Sequence, residues 1–332
     1  MSRRRFLQQT SALGTASLLG ISKQLRAEPP PEISTIRLVH APAICLASQY
    51  FAAELLRLDG FSQIEYVPAG SNVDPVNTVA SGQADISMDG VTGMLPLLDD
   101  GRPVVILGGV HGGCYELFGN EQVSTIRDLK GKRVAIIGRS SGEYIYLASI
   151  LAYVGMDPRK DIDWIETGDF NGPPQLFIDG KVDAFLGFPP QPQQVRAKKV
   201  GHVIVNTAED KPWAQHFCCM IAGHREFVRK HPIATKRAIR AILKATEICA
   251  REPERAARYM VKKGYEASYD IALEVVKEVS YNAWRTFNPE DTVRFHSLRL
   301  HEVGMIKSSP QKIIDQGTDW RFLNELKREL KA

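Results

Sequence analysis

One short frame is written twice in this chain. Gly82-Gln83-Ala84-Asp85 leads into Ile86-Ser87-Met88, and 98 positions later Gly180-Lys181-Val182-Asp183 leads into Ala184-Phe185-Leu186. Each time a helical pattern runs into the glycine, and a stretch fit for burial follows the aspartate. A residue without Cβ closes a helix in the left-handed conformation at little cost. An apolar run behind such a stop reads as a strand. The frame therefore sets out two α/β units, each about the size of a small domain.

The flanking patterns complete both units. In the first, strands are expected over 35–39, 64–67, 85–88 and 104–107, and helices over 45–58, 74–81 and 91–98. In the second, strands fall at 133–137, 162–165 and 182–186, with helices at 143–154 and 174–178. Residues 217–222 read as a buried strand returning to the first unit. Beyond about residue 222 no parallel-strand run recurs. Helices are expected over 234–250, 253–263, 269–284 and 290–300, with a short one after Trp320.

The start of the chain reads as an address. Arg3-Arg4-Arg5-Phe6-Leu7 is a twin-arginine pattern, an uncharged and mildly apolar run follows it, and Leu25-Arg26-Ala27 offers a cleavage point. Residues 1–27 are thus expected to be a Tat export leader, and the mature protein to be periplasmic. That run, about 11 residues, is too short to cross roughly 30 Å of hydrocarbon. Without residues 1–27, Lys+Arg falls from 42 to 37 against 38 Asp+Glu, so the formal charge moves from +4 to −1. The basic balance belongs to the leader, and no nucleic-acid partner is expected. Five cysteines are too few and too scattered for a disulfide framework. A chain that folds before export would keep them as buried thiols.

Ligands of open α/β sheets gather at the carboxyl ends of the strands, where loops enter helix N-termini. The expected site residues lie there: His40 and Cys45 after the first strand, Asp89 and Gly90 after the third, and His111 in the glycine-rich run 108–114. That run, read as a flexible crossover, lacks dinucleotide and P-loop order. In the second unit the same rule selects Ser140, Ser141, Gly142 and Tyr144, with Phe188 as an apolar wall. Ser140, Ser141 and Gly142 suit an anionic group at a helix start, although Ser140-x-x-Glu143 is also a capping box that needs no ligand. Asp89 is either an N-cap or an acceptor for an amine or ring N–H. His216-Phe217-Cys218-Cys219-Met220 offers soft donors but no Cys-x-x-Cys pair, so it reads as a buried strand, and neither metal nor cofactor is expected. No nucleophile elbow, HExxH or paired-carboxylate motif supports catalysis.

The leader, Gly82-x-x-Asp85, Leu129-Lys130-Gly131-Lys132-Arg133-Val134-Ala135, Gly180-x-Val182-Asp183-Ala184 and Cys218-Cys219-Met220 together resemble the nitrate/sulfonate/taurine substrate-binding proteins of ABC importers. The resemblance spans nearly the whole mature chain. It implies a periplasmic-binding-protein type II fold, with two α/β lobes, a ligand cleft between them and a helical C-terminal region. Lobe I would be 28–116 and 208–332 and lobe II 117–207, with hinges near 114–120 and 206–215. It also implies a non-enzymatic monomer that captures a small polar, anionic organic solute and delivers it to a membrane permease. The same superfamily contains pyrimidine-precursor binders and a thiamine-pyrimidine synthase that works around iron, and this branch is the alternative. The chain departs from both groups: Met88-Asp89-Gly90-Val91 replaces a Gly-Asp-x-Pro-like loop, His40-Ala41-Pro42-Ala43 replaces the Trp and Asn of the pyrimidine binders, and Cys218-Cys219 is shorter than the synthase's cysteine cluster.

Overall fold

A computed structural model of the chain describes residues 28–69 and 75–331. The expected leader lies outside those residues. The first sheet is built from β1 (Thr35–His40), β2 (Gln63–Pro68), β3 (Ile86–Gly90) and β4 (Val104–His111), with helices α1 (Ala47–Leu58), α2 (Pro75–Ala80) and α3 (Val91–Asp99) between them. The chain then crosses over through residues 112–115 and enters the second sheet as β5 (Glu116–Gly119). There follow β6 (Arg133–Ile136), α4 (Gly142–Tyr153), β7 (Asp163–Glu166), α5 (Gly172–Ile178), β8 (Ala184–Gly187), α6 (Gln191–Lys198) and β9 (His202–Asn206). Residues 207–218 return the chain to the first sheet as β10 (Cys219–His224).

The remainder is helical: α7 (Arg225–Lys230), α8 (Pro232–Arg251), α9 (Pro253–Lys262), α10 (Tyr269–Glu278), α11 (Ala283–Thr286), α12 (Pro289–Glu302), α13 (Pro310–Gly317) and α14 (Arg321–Glu329). The expected helix over 269–284 is broken, since α10 ends at Glu278 and Tyr281 turns into the core. Among the described residues no helix is long and apolar enough to cross a membrane.

Both sheets have one topology. Their orders are β2-β1-β3-β10-β4 and β7-β6-β8-β5-β9. In each, the strand that arrives from a crossover lies antiparallel beside the third strand and beside the last. The repeated frame explains how each sheet is assembled. Gly82 and Gly180 have φ of +76° and +69°, which the helix stops require. Asp85 then accepts the backbone N–H of Arg37 at 2.8 Å, and its other oxygen meets the Arg37 guanidinium at 2.5 Å. Asp183 does the same for Arg133, accepting its N–H at 2.9 Å and lying 3.5 Å from its guanidinium. Each aspartate thus fastens the start of the third strand to the first strand of its sheet.

Of the glycine-rich run, residues 112–114 belong to the crossover and the first half is strand. Gly108–His111 belong to β4 and pair with β10, and Gly109 lies against the ring of Phe217. A flexible reading failed there because the partner strand lies about 100 residues away in sequence (His111 to Cys219). The expected hinge over 114–120 is also narrower, because 116–119 is strand. The two crossovers touch: Thr207 N–H donates to Tyr115 O at 2.9 Å, and Tyr115 N–H donates to Thr207 Oγ1 at 2.9 Å. Gly113 makes that approach possible, since a Cβ there would lie 1.9 Å from Thr207 O.

Two outcomes test this reading. Asp85→Ala is expected to lower unfolding free energy by about 2 kcal/mol, the scale of hydrogen bonds to a charged group. Asp183→Ala should cost less, because its arginine is more exposed; urea titration checks both. Gly113→Ala is expected to be the more damaging change, giving little soluble protein or a sharply lowered Tm in thermal unfolding.

Candidate functional site

A cleft of about 510 Å3, mouth included, opens where the carboxyl ends of both sheets face each other. From the first lobe it is lined by the turn 41–43, by Cys45 and Leu46, and by Pro75, Asp89 and Gly90. Gly142, Glu143, Phe170 and Phe188 face them from the second lobe, and Cys114, Tyr115 and Cys219 come from the crossovers and the start of β10. The starts of α3 and α4 meet across the cleft, where Thr92 Oγ1 donates to Gly142 O at 3.0 Å. A second contact joins Ile44 N–H to Pro189 O at 3.2 Å.

Of the residues expected from sequence, the cleft brings together Cys45, Asp89, Gly90, Gly142 and Phe188. His40 stands apart, beside the stacked rings of Tyr50 and Tyr265 at 5.6 and 5.5 Å. His111 is wholly buried behind the cleft wall. Ser140 is exposed outside it. Ser141 is buried and spends its hydroxyl on Gly138 O at 2.5 Å. Tyr144 turns inward against the edge of Trp164, 5.0 Å between ring centres. The helix starts one turn position later than a Ser140 cap requires, so the capping box does not form. Glu143 instead accepts the N–H of Ile137 at 2.8 Å. Asp89 is likewise no cap for α3, because it accepts from Val76 N at 3.1 Å and Gly90 N at 2.7 Å.

A family model described as NMT1/THI5 like matches residues 47–256. The chain belongs to the NMT1/THI5-like family. No curated protein matches it significantly. Among solved structures, it is similar to the periplasmic nitrate-binding protein NrtA of Synechocystis PCC 6803, at 17% identity and TM-score 0.71, over 91% of this chain and 90% of that one. It is also similar to a putative periplasmic sulfonate-binding protein, SsuA, of Methylobacillus flagellatus KT, at 18% identity and TM-score 0.65, over 90% and 95%. A Candida albicans protein with the generic periplasmic binding protein fold aligns at 14% identity and TM-score 0.68, over 86% and 96%. At such identities the likeness is one of fold, and this NMT1/THI5-like chain has the periplasmic-binding-protein fold.

In this family member the cleft is aromatic on one side. Phe188 stands edge-on to Tyr115 at 5.7 Å and to Phe170 at 5.1 Å. Tyr115 and Phe170 escaped the sequence reading. Phe170 lies just past the carboxyl end of β7, so the strand-end rule that selected Phe188 would have found it. The charged side chains among the described lining residues are Asp89 and Glu143, both acidic. Burial pushes the Glu143 carboxyl up to about 7, against the lowering effect of the Ile137 N–H.

Cys45, Cys114 and Cys219 also line the cleft, and none of the cysteines is in a disulfide. The Sγ atoms of Cys114 and Cys218 are 2.9 Å apart.

Because the folded state holds the Glu143 proton more tightly than the unfolded chain, its contribution to stability is fullest below about pH 4.5. It falls away as pH rises through about 7. Glu143→Gln is expected to flatten that decline, by up to roughly 3 kcal/mol between pH 5 and 8. Denaturant titrations of both proteins across this range check it.

Proposed function

We propose that this protein is a periplasmic solute receptor of an ABC importer, taking a small solute into the cleft and presenting it to a membrane permease. The fold and family support the class. Export through the leader and a monomeric state belong to the same reading.

The lining favours a solute other than the anion expected from sequence. Two helix starts, α3 and α4, each bring about half a positive charge to the cleft. Against them stand the Asp89 carboxylate and a Glu143 that is ionised in part near pH 7. Ser140 and Ser141, which would have held an anion, point elsewhere. The local balance suits a neutral or cationic molecule whose N–H groups donate to Asp89. A planar heterocycle would stack on the aromatic wall, as base–aromatic contacts do. Asp89 beside Phe170, Tyr115 and Phe188 is the observation that carries this reading. It favours the pyrimidine-precursor branch of binders over the nitrate and sulfonate branch.

A thermal-shift panel of aminopyrimidines, amines, nitrate and alkanesulfonates, followed by calorimetry, tests it. An N–H-bearing heterocycle is expected to bind, and Asp89→Asn to weaken it about 10- to 100-fold, with Ser140→Ala unchanged. Tight binding of nitrate or a sulfonate that is indifferent to Asp89→Asn would refute it.

A further inference from the structure

Four soft donors meet at the floor of the cleft, although they are distant in sequence. The sulfurs of Cys45, Cys114 and Cys219 and a ring nitrogen of His111 all lie within 4.8 Å of one another. A tetrahedral Zn2+ with Zn–S bonds of about 2.3 Å needs donors about 3.8 Å apart. The cluster therefore has to contract by no more than about 1 Å to close on such an ion.

The backbone explains why they converge. Cys45 sits in the single 3-10 turn that follows β1, and His111 ends β4. Cys219 opens β10 and pairs directly with His111 across the antiparallel ladder. Cys114 lies in the first crossover, held there by the contact between the two crossovers.

The imidazole is set for a metal. His111 Nδ1 lies 2.8 Å from Gly112 O, as in metal sites where a carbonyl fixes the tautomer and the ring's orientation. That leaves Nε2 buried with no hydrogen-bond partner, an arrangement that otherwise costs free energy. Cys218, 2.9 Å from Cys114, stands outside the four and can donate its S–H to the Cys114 sulfur.

We propose that Cys45, His111, Cys114 and Cys219 form a Cys3His site for one Zn2+ ion, which forms part of the cleft floor and ties β1, β4 and β10 to the first crossover. Three sulfurs and one nitrogen are the donor set and geometry of zinc rather than of Mg2+ or Ca2+, which take oxygen. The adjacent pair Cys218-Cys219, which invited a metal reading from sequence, contributes one ligand only. The remaining ligands carry no spacing signal.

The test uses the full chain, reduced and stripped with a chelator, then titrated with Zn2+ against a chromophoric competitor. One equivalent is expected to bind, to raise Tm, and to be replaceable by Co2+ with the absorption of a tetrahedral, thiolate-ligated ion. Cys45→Ser and Cys219→Ser should each weaken Zn2+ at least roughly 100-fold, more than loss of a supporting contact would. Cys249→Ser, a buried thiol elsewhere, should not. If the variants fail to fold, the stoichiometry and Co2+ spectrum of the unaltered protein decide. No bound Zn2+, an octahedral Co2+ spectrum, or affinity unchanged in both ligand variants would overturn the site.

Discussion

Everything in this molecule is aimed by one kind of contact, an aspartate that closes a helix-to-strand turn onto the backbone of the strand beside it. Asp85 on Arg37 and Asp183 on Arg133 each settle where a third strand begins. From there the strand runs a fixed length before its helix starts, so the positions of Asp89 and Gly90 follow from the first contact. In the second sheet the corresponding strand ends at Gly187, and Phe188 follows. A carboxylate withdrawn from solvent, buried at Asp85 and partly buried at Asp183, is satisfied on both sides by a backbone N–H and a guanidinium, which makes the arrangement stable as well as specific. Writing the device twice gives two like sheets whose carboxyl ends can face one gap.

At the mouth of that gap the lobes meet through lighter contacts. Thr92 to Gly142 and Ile44 to Pro189 are single hydrogen bonds. Arg196 of α6 is paired with Glu116, and reaches Glu274 and Glu278 of α10 at 2.7 Å. Its glutamate partners on α10 are nearly half exposed, so each pair is worth about 0.2–1 kcal/mol. Contacts of this size can be made and broken by a bound solute, whereas the crossovers, locked at Gly113 and Thr207, cannot slide. At the mouth the contacts are single and polar, whereas deeper in, α4 packs on α12, with Ser149 Oγ 3.0 Å from His296 Nδ1 and the Tyr146 ring 5.0 Å from that of His296.

The fold was largely legible because its signals are local. Glycine stops, alternating strands and a helical tail fall within a few residues of where the structure has them. What eluded the sequence depends on long-range pairing or on the rotation of one side chain. Gly108–His111 looked loose until β10 covered it. Ser140 and Ser141 looked like ligands, yet a one-residue difference in the helix start turned the first to solvent and the second onto its own loop. Cys45, Cys114 and Cys219 are 69 and 105 residues apart and follow no motif, so only the folded chain shows that they meet. The charge of the cleft was hidden for the same reason, since Glu143 read as half of a cap and emerged as a buried carboxyl.

The central claim is that a solute enters between the lobes and draws them together. Small-angle scattering measures this directly, on the protein alone and saturated with a compound shown by calorimetry to bind. The account expects a smaller radius of gyration in the complex, with the compound recovered unchanged. A scattering curve identical with and without the bound compound, or conversion of that compound to a product, would contradict it.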